Sequence, residues 1–355
     1  MPRVDELLCY LNDNGGSDLH LSAGLEPRIR VHGSLEPVAG KATLDDKGVR
    51  DLLREIANDD QWHEYEDCGD LDFAYGLEGV ARFRANYFVQ QHGSAAVFRI
   101  IPEEIIPLEK LNLPPAIEEL TRLEHGLVLV TGPTGSGKST TLAAMVNAIN
   151  VRSSRHIVTL EDPVEFVHRN QSSVFSHREV GAHTRAFGPG LRAAIRQDAD
   201  VILVGEMRDH ETISLAITAA EMGMLVFGTL HTASAAKTID RVIDAFPSEE
   251  QDQVRLSLSE SLAGVVSQLL LPTADGKGRR AAVEILVRTS ALPNLIREGN
   301  TPMINSLIQG GKKLGMQQMD DALMKLVDSG EVTGRAAYMK ASDKSRFEAL
   351  VDHER

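Results

Sequence analysis

Residues 126–150 read GLVLVTGPTGSGKSTTLAAMVNAIN, an apolar run that breaks into a glycine-rich turn and resumes with helical spacing. Leu127 to Val130 has the look of a short buried strand, and Leu142, Met145, Val146 and Ile149 recur at i, i+3, i+4, i+7, one face of a helix. Between them Gly132, Pro133, Thr134, Gly135, Ser136, Gly137, Lys138, Ser139 and Thr140 fit G-x-x-x-x-G-K-[ST] in the strand-to-helix setting that gives this pattern its meaning. Gly132, Gly135 and Gly137 let successive backbone N–H groups turn inward around phosphate oxygens, and the helix amino terminus adds the positive end of its dipole. Lys138 is expected to reach the β and γ phosphates of a nucleoside triphosphate, and the Ser139 hydroxyl to ligate Mg2+.

Downstream, apolar runs alternate with helical patterns: RHIVTLED, GLRAAIRQ, DVILVGE, HETISLAITAAEMG, MLVFGTLHT, AAKTIDRVIDAF. Strands that are apolar along their whole length imply a parallel sheet covered by helices on both faces, an α/β architecture. In such sheets ligands gather at the carboxyl ends of the strands. Three runs deliver polar residues there: Glu161, Asp162 and Glu165; Glu206, Arg208 and Asp209; Thr229, His231 and Thr232. The second run resembles a Walker B strand, with Gly205 in place of the usual Asp and Glu206 beside it. A carboxylate can hold or deprotonate the attacking water, but spacing alone does not rank Glu161, Glu165 and Glu206. His231, at a strand end pointing toward the phosphate loop, is expected to sense the γ-phosphate.

The chain has 355 residues, 42% of them hydrophobic, enough for two domains. Residues 1–112 mix short helices with alternating strands such as PRIRVHGSLEPV and ARFRANYF, as a small α+β domain would. A stretch containing Pro102, Pro107, Pro114 and Pro115 follows as a linker or hinge to about residue 117. The α/β domain that carries the phosphate loop is expected over 118–275 and a mainly helical extension over 276–355. Within this, SEEQDQVRLSLSESLAGVVSQLLL is expected to form one helix, capped by a Ser248-x-x-Gln251 box and stopped at Pro272, with AAVEILV as a strand after it. With 51 acidic against 37 basic residues the net charge is −14, which disfavours nucleic acid as a partner. Two distant cysteines, Cys9 and Cys68, suggest neither disulfides nor a thiolate metal site. No apolar run approaches the ~20 residues of a membrane span, and a cytoplasmic location is expected.

Together GPTGSGKST, TLEDPVEFVH, ILVGEMRD and GTLHT resemble the secretion ATPase superfamily that drives type II secretion and type IV pili. The resemblance covers nearly the whole chain and is closest to the pilus-retraction branch, with GGSDLHLSAG, RFRANYF, REVG, HTASAAKTIDRVIDAFP and ALPNLIRE as further matches. It implies a PAS-like amino-terminal domain, a RecA-like P-loop ATPase domain with a helical tail, ATP as the nucleotide, and a homohexamer working through an inner-membrane platform protein. It also implies roles: Glu165 as catalytic base, Glu206 as the Walker B carboxylate with a share in holding Mg2+, His231 as a member of the His box, and Arg84 and Arg99 as arginine fingers. From the residues alone, those two arginines read as surface groups. Two positions depart from the family's pattern, Met224 where a His is usual and Pro293 where an Arg is usual. The competing readings are a pilus assembly or type II secretion ATPase, a DNA-translocating RecA-like ATPase, and a nucleotide-dependent binding module without turnover.

Overall fold

The computed structural model describes residues 2–31, 33–101 and 104–352, and the chain forms two compact units, Met1–Glu104 with Pro163–Val167, and Ile105–Asp162 with His168–Arg355. Pro102 and Glu103, at the start of the expected hinge, lie outside the described residues.

The first unit is a six-stranded antiparallel sheet with helices on one face. Its elements are α1 (Arg3–Asp13), β1 (Asp18–Ser22), β2 (Arg28–Val31), β3 (Ser34–Pro37), α2 (Asp46–Arg54), α3 (Asp59–Cys68), β4 (Asp70–Leu77), β5 (Ala81–Gln90) and β6 (Gly93–Ile101), with sheet order β3-β2-β1-β6-β5-β4. The period of two decides the faces: Ala81, Phe83, Ala85 and Tyr87 of β5 are buried against Leu7, Leu8 and Leu11 of α1 and Leu52 and Leu53 of α2. The intervening Arg82 and Arg84 face the other way. Side-chain caps start both middle helices, Asp45 accepting from Gly48 N and Asn58 forming a reciprocal box with Gln61.

The second unit begins with α4 (Pro115–Leu120) and carries a seven-stranded sheet in the order β13-β12-β7-β11-β10-β8-β9. Its elements continue as β7 (Gly126–Thr131), α5 (Lys138–Arg152), β8 (His156–Glu161), β9 (Val174–Glu179), α6 (Phe187–Ala194), β10 (Val201–Val204), α7 (His210–Glu221), β11 (Leu225–Leu230), α8 (Ala235–Asp244), α9 (Gln251–Ser261), β12 (Leu262–Pro272) and β13 (Arg279–Val287). All neighbours are parallel except the edge pair β12–β13. Leu127 and Leu129 pack with Ile213, Ile217 and Ile239 on one face, while Val128 and Val130 pack with Leu142, Met145 and Ile149 on the other. That double burial is why these strands are apolar throughout. Most of the proline-rich stretch belongs to this unit, not to a free linker: Pro107 and Pro114 precede short helical turns, and Leu108, Ala116 and Ile117 are buried.

One expected helix is a helix and a strand. The chain leaves α9 at Ser261, and Leu262–Pro272 enters the sheet as β12 between β7 and β13. Residues 262–271 have no polar face to give water, so the segment is stable only where both sides are covered, and a central strand supplies that. Gly264 fits because a Cβ there would come within 2.8 Å of Leu120 Cδ2 and 3.1 Å of Leu286 O. The Ser248 cap does not form either: Gln251 opens the helix after a turn in which Glu250 N donates to Pro247 O, and its amide donates to Phe246 O at 3.2 Å.

Beyond Val287 the chain is helical, through α10 (Leu292–Arg297), α11 (Ile304–Gly310), α12 (Met319–Asp328), α13 (Gly334–Lys340) and α14 (Glu348–Asp352). Pro293 sits in the first turn of α10, where its missing N–H costs nothing. The buried Glu284 of β13 joins this bundle to the sheet by accepting from the first N–H of α8 (Ala235, 2.7 Å) and from Met319, which opens α12. Burial pushes the Glu284 carboxyl above its ordinary value, outweighing the two backbone donors that pull it down. The folded protein therefore holds this proton more tightly than the unfolded chain does. The stabilisation is present below the unfolded value of about 4.5 and is lost as pH rises through the folded one. Glu284→Gln has no proton to lose, so its Tm minus that of the parent should grow more positive from pH 4.5 upward; a difference flat with pH would contradict this placement.

Candidate active site

The turn from β7 into α5 is shaped by glycines in the left-handed region, Gly135 at φ 77° and Gly137 at φ 86°, with Gly132 at φ 143°. Gly132 is also hemmed in: a Cβ would lie 2.3 Å from Gln268 O. Ser136 N donates to Pro133 O at 3.2 Å and tightens the turn, while Pro133, Thr134 and Gly135 stay exposed at its crest. Lys138, the first residue of α5, is 9% exposed and folds its ammonium back on Gly132 O (2.8 Å) and Pro133 O (3.1 Å). Ser139 and Thr140, half-buried, follow in the first turn of the helix.

Because β8, β10 and β11 run parallel to β7, their ends meet the loop at one edge. Leu230 is level with Thr131, so His231 is the next residue out. Its Nδ1 lies 3.5 Å from Lys138 Nζ and its Nε2 lies 3.0 Å from Glu206 Oε1. The lysine can only donate, so Nδ1 accepts and Nε2 carries the proton it gives to Glu206. Arg208 Nε completes the series 2.5 Å from the same carboxylate oxygen. Partial burial pushes the Glu206 carboxyl up, but Arg208 and then His231 outweigh it and hold it below its usual range. Glu206 is therefore an anion at neutral pH.

Gly205 has a packing reason. A Cβ would sit 3.2 Å from both Glu161 Cα and Leu160 O, and the residue is stitched on both sides, its N donating to Leu160 O (2.7 Å) and its O accepting from Thr229 Oγ1 (2.5 Å). The other strand-end residues divide. Asp209 is a helix cap, accepting from Thr212 N and Oγ1. Thr232 pairs with Thr238 at 2.7 Å. Glu161 is buried at the end of β8. Glu165 lies in Pro163–Val167, which groups with the first unit and not with the sheet that carries the phosphate loop.

Met224 stands at the opposite end of β11 from His231, with its carbonyl accepting from Gly126 at the start of β7. At about 3.3 Å per residue, the six residues of β11 place it roughly 20 Å from the phosphate-loop edge. The substitution thus removes nothing from this edge.

Arg84 and Arg99 are direct cross-strand neighbours in the first unit. Arg84 Nε contacts both carboxylate oxygens of Asp72 at 3.1 Å, and Arg99 Nε donates to the buried Asp18 at 2.8 Å. Asp18 in turn pairs with Arg30 in register, so one transverse row of the sheet holds Arg84, Arg99, Asp18 and Arg30.

Gln268 is a site residue that the sequence reading missed. Its buried carboxamide touches Ser136 O (2.6 Å) and Thr141 Oγ1 (2.8 Å), beneath the loop. The only clue in the sequence is an amide placed inside the apolar run VVSQLLL. A cavity of about 330 Å³ opens beside Gly137 and Thr140, walled by Leu111, Leu113, Leu270 and Ala281.

The family model for type II/IV secretion system proteins matches residues 67–301. The chain is 50% identical over 344 residues, 97% of its length and 99% of the relative's, to the type IV pilus retraction ATPase PilT of Pseudomonas aeruginosa. It is 50% identical over 317 residues, 89% of this chain and 84% of the relative, to the twitching motility protein of Neisseria gonorrhoeae. A crystal structure of the pilus retraction motor PilT with bound ADP superposes with a TM-score of 0.90 at 43% identity, covering 97% of this chain and 98% of that one. The phosphate loop at the edge of a parallel sheet and these full-length similarities agree: the chain belongs to the type II/IV secretion system protein family.

Proposed function

We propose that this protein is a cytoplasmic ATP-hydrolysing motor that retracts type IV pili as a homohexamer, acting through an inner-membrane platform protein and taking no nucleic acid. The observation that carries the chemistry is the series Lys138, His231, Glu206, Arg208 beside the phosphate loop. Lys138 would exchange its loop carbonyls for phosphate oxygens, and the cavity beside Gly137 would take the nucleoside. The Ser139 hydroxyl and the ionised Glu206 are hard oxygen donors suited to Mg2+, which when bound would neutralise charge on the β and γ phosphates. Glu206 is held by two donors and is better suited to hold and orient than to accept a proton. The family resemblance gives the part of the base that deprotonates water to Glu165.

Arg84 and Arg99 would serve as arginine fingers, their planar forks matched to charge developing on the transferred phosphoryl group. Adjacent strands hold them side by side, Arg84 paired with Asp72 and Arg99 with Asp18. Among the described residues no helix is long and apolar enough to cross a membrane, in keeping with a motor that meets the membrane through its partner.

Glu206→Gln should bind ADP with affinity close to the parent's and lose about 100-fold or more in phosphate release; an unchanged rate would reduce Glu206 to a structural residue. If the arginines act across a subunit interface, mixing an Arg99→Ala chain with a Glu206→Gln chain should restore part of the activity, and failure at every ratio would count against the finger assignment. Deleting the gene should leave cells hyperpiliated and without twitching motility. Bald cells would indicate pilus assembly instead, and stimulation of the purified ATPase by single-stranded DNA would indicate a translocase.

A further inference from the structure

Gln268 lies on β12 next to Ser267, whose hydroxyl is 2.8 Å from that of Thr131 at the end of β7. The strand is thus pinned to its neighbour at the level of the phosphate loop, and Gln268 is presented from a rigid element. Its side chain is 2% exposed and spans two points of the loop, with Nε2 donating to Ser136 O at 2.6 Å and Oε1 accepting from Thr141 Oγ1 at 2.8 Å. A Cβ on Gly137 would lie 2.8 Å from Gln268 Nε2, so the carboxamide is in close contact with the peptide that joins Ser136 to Gly137.

That peptide is the one most exposed to reorientation. Gly137 has φ 86°, and a glycine can rotate the preceding peptide plane at little steric cost. In a planar trans peptide the carbonyl oxygen and the amide hydrogen point in opposite directions. With Ser136 O held down on Gln268, beneath the loop, the N–H of Gly137 must point up into the mouth of the loop, where phosphate oxygens are bound. Released from Gln268, the same peptide could turn its carbonyl toward the phosphates, replacing a donor by an acceptor.

We propose that Gln268 is a positioning residue for nucleotide binding, locking the Ser136–Gly137 peptide with its N–H facing the phosphates. This rests on the nucleotide-binding reading above. Ser136 O can only accept, so the nitrogen of the amide, not its oxygen, meets it, and Thr141 only donates to the oxygen left over.

Two variants of the full chain separate this role from simple packing. Gln268→Met keeps length and volume and removes both hydrogen bonds; Thr141→Val leaves the Ser136 contact in place. By titration with ADP and by steady-state ATP hydrolysis, Gln268→Met should weaken ADP binding and raise KM by about tenfold, with kcat nearly unchanged. Thr141→Val should stay close to the parent in both. Parent-like ADP affinity in Gln268→Met, a fall in kcat with KM unchanged, or an equal loss in Thr141→Val would overturn the proposal. Should Gln268→Met fail to fold, Gln268→Glu gives the same decision. Its carboxylate can accept from Thr141 but can donate to Ser136 only when protonated, so its ADP affinity relative to the parent should recover as pH falls, and a ratio constant with pH would overturn the lock. A parent chain that binds no ADP would instead contradict the nucleotide reading itself.

Discussion

Parallel strands all leave a sheet at the same edge, and in this molecule that constraint does most of the assembling. Thr131, Glu161, Val204 and Leu230 end four separate runs of sequence, yet hydrogen-bond register brings the ends of their strands to one edge. No long-range attraction among the polar residues is needed to gather them. The apolar strand interiors, buried on both faces by the helices, fix the register, and the register brings a lysine, an imidazole and a carboxylate together.

The order of those groups is electrostatically coherent. Cation, imidazole, anion and cation follow one another from Lys138 through His231 and Glu206 to Arg208, so every contact joins a donor to an acceptor. Two members also have a further support: Lys138 on loop carbonyls, and Glu206 following a strand end where Gly205 is tied to β8 and to Thr229.

Much of this was legible in the sequence, because the signals are local. The phosphate loop is contiguous, and the strand ends announce themselves where apolar runs meet polar residues. What was not legible depends on partners distant along the chain. Residues 262–271 are apolar apart from Ser267 and Gln268, a pattern shared by buried helices and buried strands, and only pairing with β7 and β13 decides between them. Misreading that strand hid Gln268, which meets the loop from 132 residues away. Ser248 matched a capping pattern that the turn at Pro247 pre-empts. The roles of Glu165, Arg84 and Arg99 came from family likeness, since nothing near them in sequence distinguishes them from surface charges. Motif order therefore reached further than residue chemistry did.

Met224 and His231 lie close in sequence and at opposite ends of one strand. A motif that looks continuous on the page is thus two separate addresses in space, one at the phosphate-loop edge and one at the far end of the strand, roughly 20 Å away. At the far address the Met224 thioether is one more apolar group against the core under β11, which an imidazole could fill only by bringing a polar nitrogen with it.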